Sequence, residues 1–280
     1  MVEKVNIPEI SQKHLHGIKD LTVDDINKIL ELSNFFKLNN KEKDKNYPIL
    51  KGRTIINLFF EPSTRTLISF EIAAKRLGAD VINMNIEGSS LRKGESLHDT
   101  AQTLGAMNPD LVVIRHVIDD SSKQIAEIVN CPVINAGEGI NEHPTQALLD
   151  AYTIINNKRS LENITVAICG DLEHSRVARS NYYLLKKMKS NVRFVFPEFF
   201  KPKDLDKYDV KTFTNLEKGI TDADIVMMLR IQNERISDMN LPSKESYFEE
   251  FGLTYEKLKL AKPEALVLHP GPINRNVEIE

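Results

Sequence analysis

Residues 54–86 read TIINLFFEPSTRTLISFEIAAKRLGADVINMNI. The apolar run at 54–60 predicts a buried strand, the segment 64–77 has the apolar spacing of a helix and is closed by Gly78, and 80–86 predict a second buried strand. A strand, a helix and a strand in this order form a right-handed parallel βαβ unit. This stretch therefore predicts an α/β fold whose parallel sheet is covered by helices.

The same alternation continues on both sides of this stretch. Before it, Thr22 is placed to cap an amphipathic helix over 22–38. After it, strands and helices alternate as far as a helical stretch at 144–155, and then the rhythm restarts with a strand at 163–170. We therefore predict two doubly wound parallel-sheet domains joined by a connecting helix, over residues 1–144 and 145–280, with the active site in the cleft between them.

Composition excludes several classes of function. The chain has 280 residues, a formal net charge of −3, and no apolar run as long as the roughly 18 residues of a membrane helix. Because there is no broad basic field, nucleic acid is a poor partner, and a membrane location is not expected. The N-terminus has neither signal-peptide nor transit-peptide character, so we expect a cytoplasmic protein. Two cysteines far apart indicate neither a disulfide framework nor a zinc site.

Polar residues follow several of the predicted strands. Glu61 to Thr66 follow the first strand, and the later strands are followed by Arg115 with His116, by Arg230, and by His269 with Pro270. In open parallel sheets ligands bind outside the carboxyl ends of the strands. We therefore expect these residues to line a binding site, and the low net charge points to a small anionic ligand.

The run Ser63-Thr64-Arg65-Thr66 opens the helix directly after the first strand. Backbone N–H groups, two kinds of hydroxyl and a guanidinium can converge there on one phosphate. The alternative is that Ser63 and Thr64 only cap the helix and that Arg65 is a solvated surface residue. The G-x-x-x-x-G-K-[ST] pattern of a Walker loop is absent, so the run is not a nucleotide loop of that type.

Other motifs extend the candidate site. A glycine-bounded polar loop at 88–95 can bring Lys93 to an anion, and His143 and Gln146, three residues apart at a helix start, would face one site. Arg176 and Arg230 suit two carboxylates of one small substrate, although surface ion pairs are the alternative for any arginine. The G-x-G-x-x-G and H-E-x-x-H patterns are both absent, so we expect no cofactor and no catalytic metal.

In order along the chain, these motifs resemble the aspartate/ornithine carbamoyltransferase family, and the match runs from about residue 15 to 278. Each motif alone is weak, whereas seven in the right order are specific. They are FFEPSTRT (59–66), SSLRKGES (89–96), RH (115–116), HPTQALLD (143–150), GDLEHSR (170–176), RIQNER (230–235) and HPGPINRNVEI (269–279).

The resemblance implies that residues 1–144 form a carbamoyl-phosphate-binding domain and residues 145–280 an aspartate-binding domain, and it implies a role for each matched residue. The phosphate of carbamoyl phosphate would be held by Ser63, Thr64, Arg65 and Thr66, joined by Ser90 and Lys93 from a neighbouring subunit. The carbonyl oxygen would accept hydrogen bonds from Thr66, Arg115 and His143, with Gln146 orienting the amide nitrogen. The acceptor carboxylates would be bound by Lys93, Arg176, Arg230 and Gln232, and backbone carbonyls would come from Pro270 and Gly271.

Within the family, RIQNER and HPGP are similar to the aspartate enzymes, whereas ornithine enzymes would carry a cysteine-containing HCLP segment. The expected reaction is therefore carbamoyl transfer to L-aspartate in pyrimidine biosynthesis, by a homotrimer with shared sites. A regulatory chain or a dihydroorotase is a possible further partner. The alternatives are another acceptor such as ornithine, or a non-catalytic two-domain homologue.

The chain departs from the family pattern at two places. Leu67 stands where a second arginine is common, and the chain ends at Glu280, before the C-terminal helix that the resemblance implies. We expect this helix either to be absent or to lie beyond the sequence considered.

Overall fold

The structure is a computed structural model, and it describes residues 5–41, 45–85, 95–232 and 242–280. The chain divides into two compact units, Met1–Leu148 and Leu149–Glu280. This division falls inside the helix where the sequence predicts the domain boundary. The predicted assignment of one substrate to each domain, and of the active site to a cleft, stays a prediction.

The first unit contains a four-stranded parallel sheet. Its strands are β1 (Thr54–Phe59), β2 (Asp80–Asn85), β3 (Leu111–His116) and β4 (Val133–Glu138), in the order β2-β1-β3-β4. Its helices are α1 (Val23–Asn39), α2 (Thr64–Arg76), α3 (Leu97–Ala106), α4 (Ser121–Ala126) and the start of α5 (Pro144–Lys158). Single turns of 3-10 helix span Ile18–Asp20 and Pro48–Leu50.

Both faces of this sheet are buried, because successive side chains of a strand point to opposite faces. Ile56 and Leu58 of β1 pack on one side with Val112 of β3, whereas Ile55 and Val113 pack on the other. A sheet buried on both faces needs near-continuous apolar strands. This is why five of the seven residues in TIINLFF are apolar, with Thr54 and Asn57 as the exceptions.

The second unit contains a five-stranded parallel sheet. Its strands are β5 (Thr165–Cys169), β6 (Asn191–Val195), β7 (Lys211–Phe213), β8 (Ile225–Met228) and β9 (Leu266–Leu268), in the order β7-β6-β5-β8-β9. Its further helices are α6 (Arg176–Lys187), α7 (Leu216–Ile220), α8 (Lys244–Phe251) and α9 (Tyr255–Leu258). Two parallel sheets with helices between their strands confirm the predicted fold class.

Each sheet has a point where the strand order reverses, and such switch points are where open α/β sheets bind ligands. In the first sheet β1 lies beside both β2 and β3, so the chain leaves β1 and β3 towards opposite sides. In the second sheet the corresponding pair is β5 and β8. The loops after these four strands contain residues 61–63, 117–118, 170–175 and 229–232.

Among the described residues, no helix combines the length and the apolar character needed to cross a membrane. The same part of the chain holds no cluster of three or more His, Cys, Asp or Glu side chains that could bind a metal ion.

Candidate active site

Arg115 is held rigidly at the switch point of the first sheet. Its Nη2 atom donates to Glu61 Oε1 at 2.5 Å, and its Nη1 atom donates to the carbonyl oxygen of Ala136 at 3.1 Å. Arg115 is buried, and Glu61 is half-buried. These bonds tie the ends of β1, β3 and β4 to one guanidinium. The result is a fixed cation at the carboxyl end of the sheet.

The adjacent His116 has a different role. Its Nδ1 atom accepts a hydrogen bond from the backbone N–H of Ile118 at 2.9 Å, and its ring lies 4.5 Å from that of Phe60, measured between centroids. Burial lowers the pKa of His116 below its usual value. A neutral, hydrogen-bonded histidine of this kind shapes the turn after β3.

The Ser63–Thr66 run lies at the N-terminus of α2, as the sequence predicts. Ser63 is the N-cap residue by position, but its side chain makes no capping hydrogen bond. Its hydroxyl instead donates to Thr66 Oγ1 at 2.9 Å, while Thr64 and Arg65 are exposed. The Ser63 hydroxyl therefore does not cap the helix, whereas the exposure of Arg65 agrees with both interpretations, and the phosphate site stays a prediction. A helix N-terminus with hydroxyls and an arginine favours an anion.

His143 is the last residue of the loop that follows β4, and Gln146 lies in the first turn of α5. His143 is buried and Gln146 is half-buried. The loop before them is anchored by Glu142, whose Oε2 atom accepts from the backbone N–H of Ile18 at 2.8 Å. Asp119 Oδ1 accepts from two further backbone N–H groups of that loop. Buried or bonded carboxylates thus fix the segment that delivers His143.

The switch point of the second sheet is organised around Asp171, which is fully buried. Its Oδ1 atom accepts from the backbone N–H of His174 at 3.1 Å and lies 2.8 Å from His174 Nδ1. Its Oδ2 atom accepts from the backbone N–H of Gln232 at 3.2 Å, and Gln232 Nε2 donates to the His174 carbonyl at 2.9 Å. The loops after β5 and β8 are therefore bonded to each other.

Two arginines flank this junction. Arg176 is buried at the first position of α6, whose N-cap Ser175 accepts from the backbone N–H of Ala178 at 3.1 Å. Arg230 is half-buried directly after β8. Both therefore extend from the carboxyl end of the second sheet, where a dicarboxylate would be met by two cations.

The loop after β9 is tied to the same region by Glu278, which is fully buried. Its Oε1 atom accepts from the backbone N–H of Ile231 at 2.9 Å, and its Oε2 atom accepts from the backbone N–H of Asn274 at 3.0 Å. In that loop the N–H of Gly271 donates to His269 Nδ1 at 2.9 Å. Pro270 and Gly271 are half-buried, at the end of the strand next to β8.

The predicted residues thus fall at the carboxyl ends of two sheets. The first unit carries Ser63, Thr64, Arg65, Thr66, Arg115, His143 and Gln146, and the second carries Arg176, Arg230, Gln232, Pro270 and Gly271. Ser90 and Lys93 lie outside the described residues. Sequence reasoning assigned no role to Glu61, Glu142, Asp171 or Glu278. Three of these four stand inside quoted motifs, which was the available signal.

Comparison with known proteins places this arrangement in context. Residues 13–156 match the family described as "Aspartate/ornithine carbamoyltransferase, carbamoyl-P binding domain", and residues 162–280 match its "Asp/Orn binding domain". The chain is 54% identical over 281 residues to an aspartate carbamoyltransferase catalytic subunit of Pelagibacter ubique, covering 100% of this chain and 90% of that protein. It is 52% identical over 278 residues to that of Parvibaculum lavamentivorans, covering 99% and 85%.

The chain is also similar to solved structures of aspartate and ornithine carbamoyltransferases. Aspartate transcarbamoylase from Trypanosoma cruzi, in complex with carbamoyl phosphate and aspartate, has a TM-score of 0.87 and 29% identity, covering 98% of this chain and 90% of that one. Ornithine carbamoyltransferase from Pyrococcus furiosus has a TM-score of 0.84 and 27% identity, covering 95% and 87%.

Proposed function

Because the chain belongs to the aspartate/ornithine carbamoyltransferase family, we propose that it is an aspartate carbamoyltransferase acting in pyrimidine biosynthesis. It transfers the carbamoyl group of carbamoyl phosphate to the amine of L-aspartate, releasing N-carbamoyl-L-aspartate and phosphate. The observation that carries this choice is the pair of arginines at the second switch point, Arg176 at the start of α6 and Arg230 in the loop after β8. Relatives named aspartate carbamoyltransferase, at 52–54% identity over nearly the whole chain, support it.

The first unit holds carbamoyl phosphate. Ser63, Thr64, Arg65 and Thr66 meet its phosphate at the N-terminus of α2, where backbone N–H groups and the helix dipole favour an anion. The exposed position of Arg65 leaves its guanidinium accessible to a ligand. Ser90 and Lys93 complete this phosphate site from a neighbouring subunit.

The carbonyl oxygen of the carbamoyl group accepts hydrogen bonds from Thr66, Arg115 and His143. When the neutral amine of aspartate attacks, a C–N bond forms and negative charge grows on that oxygen. Donors held in advance stabilise this charge, because they need no reorganisation at the moment of reaction. The bonds from Arg115 to Glu61 and to Ala136 supply such advance positioning.

The tetrahedral intermediate then loses phosphate as the C–O bond breaks, and a phosphate oxygen takes the amine proton. His143 acts as a hydrogen-bond donor rather than as a general base, and no protein nucleophile takes part. Gln146 orients the amide nitrogen, while the carbonyls of Pro270 and Gly271 accept from that NH₂ group and from the attacking amine. Orientation of the two substrates supplies much of the rate enhancement.

The second unit holds L-aspartate. Arg176, Arg230 and Gln232 bind its two carboxylates, together with Lys93 of the neighbouring subunit. L-ornithine is the alternative acceptor, because the chain is also similar to an ornithine carbamoyltransferase. Two arginines would repel the cationic side chain of ornithine, which favours aspartate.

We further propose that the chain forms a cytoplasmic homotrimer. Three isoleucines of the first unit, Ile68 and Ile72 on α2 and Ile82 on the edge strand β2, are 43–48% exposed, which supports burial of this surface by another chain.

The experiment that tests the function measures product formation from carbamoyl phosphate with L-aspartate and, in parallel, with L-ornithine, using the purified chain without added metal. We expect N-carbamoyl-L-aspartate and no citrulline. Citrulline as the main product would show that the acceptor is L-ornithine and not L-aspartate. Absence of both products would favour the non-catalytic alternative.

A further inference from the structure

His174 lies in the loop between β5 and α6, and neither the motif reading nor the proposed mechanism uses it. Its Nδ1 atom is 2.8 Å from Asp171 Oδ1, and its ring lies in edge contact with that of Phe200, 6.4 Å between centroids. The side chain of His174 is 23% exposed, whereas that of Asp171 is fully buried. The imidazole therefore covers the buried carboxylate on its solvent side.

Gln232 forms two hydrogen bonds with Asp171 and His174. Its backbone N–H donates to Asp171 Oδ2, and its side-chain Nε2 donates to the His174 carbonyl. Arg176 stands two residues after His174 and begins α6. Two of the three residues proposed to bind the acceptor carboxylates in this unit are thus positioned by the loop that contains His174.

In the part of the chain that the structure describes, the charged groups that act on His174 come from three elements. Its own loop contributes Asp171 and Glu173, the segment after β6 contributes Lys203, and Arg179 of α6 donates to the carbonyl of Glu173. Lys203 Nζ lies 3.4 Å from Glu173 Oε1, so these two charges largely offset each other at the imidazole. Phe200 and Gln232 are neutral. Asp171 is therefore the charge that dominates at His174.

The hydrogen bond to Asp171 raises the pKa of His174 above its usual value, and burial opposes this rise without cancelling it. The imidazolium is consequently favoured over a wider pH range than in an exposed histidine. When it deprotonates, the buried carboxylate loses its compensating charge.

We propose that His174 is a positioning residue of the acceptor site, whose protonated imidazole holds Asp171 and Gln232 in place and lowers the KM for the dicarboxylate acceptor. This inference rests on the proposed function, because it concerns the binding of L-aspartate. Loss of the imidazolium adds one net negative charge beside a site that binds a dianion, which weakens that binding. Since a raised pKa means that the charged form persists below it, KM is low below the pKa and increases as the pH passes above it.

The test compares three proteins, namely the wild type, His174→Asn and His174→Phe. The kcat and the KM for L-aspartate are measured at saturating carbamoyl phosphate from about pH 6 to about pH 9, the range in which a histidine with a raised pKa titrates. Titration of the aspartate amine and of phosphate is common to all three proteins, so it cancels in the ratio of variant to wild type.

Asparagine places a donor nitrogen close to the position of Nδ1 but does not titrate. We expect its KM to lack the histidine-dependent rise of about threefold that the wild type shows. Phenylalanine removes both the donor and the charge, so we expect a KM about tenfold above that of the wild type at low pH, and a ratio that falls to about threefold as the wild-type histidine deprotonates. In both variants kcat stays within about twofold, because the groups around the carbamoyl carbon are unchanged.

His14→Asn is the matched control. His14 lies in the first unit, where its Nδ1 atom accepts from the backbone N–H of Val133 at 3.2 Å, and asparagine can keep that bond. We expect the KM of this variant to follow the wild type at every pH. Thermal melting of each variant checks that it is folded.

Three outcomes would overturn the inference. A constant ratio of KM for His174→Asn to wild type, or a fall of kcat in His174→Phe with KM unchanged, would overturn it while leaving the proposed function intact. Absence of carbamoyl-aspartate from the wild type would overturn both.

Discussion

At the scale of single residues, the ion pair between Glu61 and Arg115 is the contact that most directly fixes a proposed donor. Replacing the carboxylate by an amide in Glu61→Gln removes the negative charge while keeping the size of the side chain. The guanidinium would then be less well held by β1, and donors that are misplaced stabilise a developing oxyanion poorly. We expect kcat to fall by about tenfold to a hundredfold, with the KM for L-aspartate little changed.

Glu162→Gln is the control for this prediction. Glu162 also forms an ion pair, with Lys189 at 3.3 Å, but the side chains are 54% and 76% exposed and lie in the other unit. Exposed pairs of this kind contribute little. Steady-state kinetics of both variants checks the prediction, and equal kcat values would contradict it.

At the scale of elements, α1 is fixed at its N-terminus by a capping box. The carboxylate of Asp25 accepts four hydrogen bonds, from the backbone N–H and hydroxyl groups of both Ser11 and Thr22, at 2.6–3.0 Å. These bonds hold the pKa of Asp25 far below its usual value, those from Ser11 contributing most. The carboxylate therefore ties the N-terminal segment to the start of α1.

The pH dependence of stability follows from that shift. Because the folded-state pKa of Asp25 is lowered, its contribution is fully present above the unfolded value of about 3.9 and is lost as the pH falls below it. We expect Asp25→Asn to have a lower urea midpoint than the wild type at pH 7, and the difference between the two proteins to shrink from about pH 4 to about pH 2.

Asp24→Asn is the comparison for this effect. Asp24 is in the same helix turn, but its side chain is 72% exposed and forms an ion pair with Lys28 at 2.7 Å. We expect its urea midpoint to stay close to that of the wild type. A pH-independent difference between Asp25→Asn and wild type would contradict the assignment.

The loop between β4 and α5 contains a second constraint on an element. Gly139 has a φ of +44°, and a Cβ atom there would overlap the Asp119 carboxylate, which accepts from the backbone N–H groups of Ile140 and Asn141. Gly52 also has a positive φ, of +80°, but has nothing within 4 Å of a Cβ atom. Both glycines have a positive φ, which an alanine adopts only with strain. A Cβ atom would clash with a neighbouring group at Gly139 but not at Gly52.

We therefore expect Gly139→Ala to destabilise the fold more than Gly52→Ala. The shared cost of a positive φ is about 1 kcal/mol, and displacing Asp119 adds roughly 1–3 kcal/mol through lost hydrogen bonds. The free energy of unfolding from urea titration measures both. Equal losses would show that Asp119 moves aside without cost.

For the whole molecule, the two sheets were predictable because most of their strands are largely apolar runs that alternate with helical patterns, and both signals are local to the sequence. The short strand β7, with the small helix α7 after it, was missed because Lys211–Phe213 offers only three residues and no apolar run. The paired carboxylates were missed for another reason. Glu61 meets Arg115, and Glu278 meets Ile231, across 54 and 47 residues of sequence. No local pattern specifies such partners.

The residue set could be proposed from the sequence because most of its motifs stand directly after strands, where a parallel sheet presents them. The loops that carry Arg176 and Gln232 could thus be assigned to one end of the second sheet, and the structure joins these loops through Asp171. The hydrogen bonds between the two loops involve the buried carboxylate of Asp171 and the backbone carbonyl of His174, each of which bonds to Gln232. The positioning roles of Asp171 and His174 could not be predicted from the sequence, because Gln232 is about 60 residues away along the chain.

The proposed sharing of sites between subunits leads to a quantitative prediction about hybrids. Arg65→Ala and Lys93→Ala chains should each be inactive alone, because every site would lack one phosphate-binding cation. In randomly mixed trimers a complete site forms where a Lys93→Ala chain supplies Arg65 and its neighbour, an Arg65→Ala chain, supplies Lys93. With equal amounts of both chains, each site has a chance of about one in four, so about a quarter of wild-type activity should return.

The control mixes Arg65→Ala with His143→Ala, two residues proposed to act from the same chain. Every site in such hybrids has one of the two defects, so no activity should return. Chains would be mixed in urea, refolded together, and assayed against the unmixed variants, with light scattering to verify the trimer. No activity in either mixture would mean that each chain builds its phosphate site alone, and equal restored activity in both mixtures would contradict the proposal that Arg65 and His143 act from the same chain.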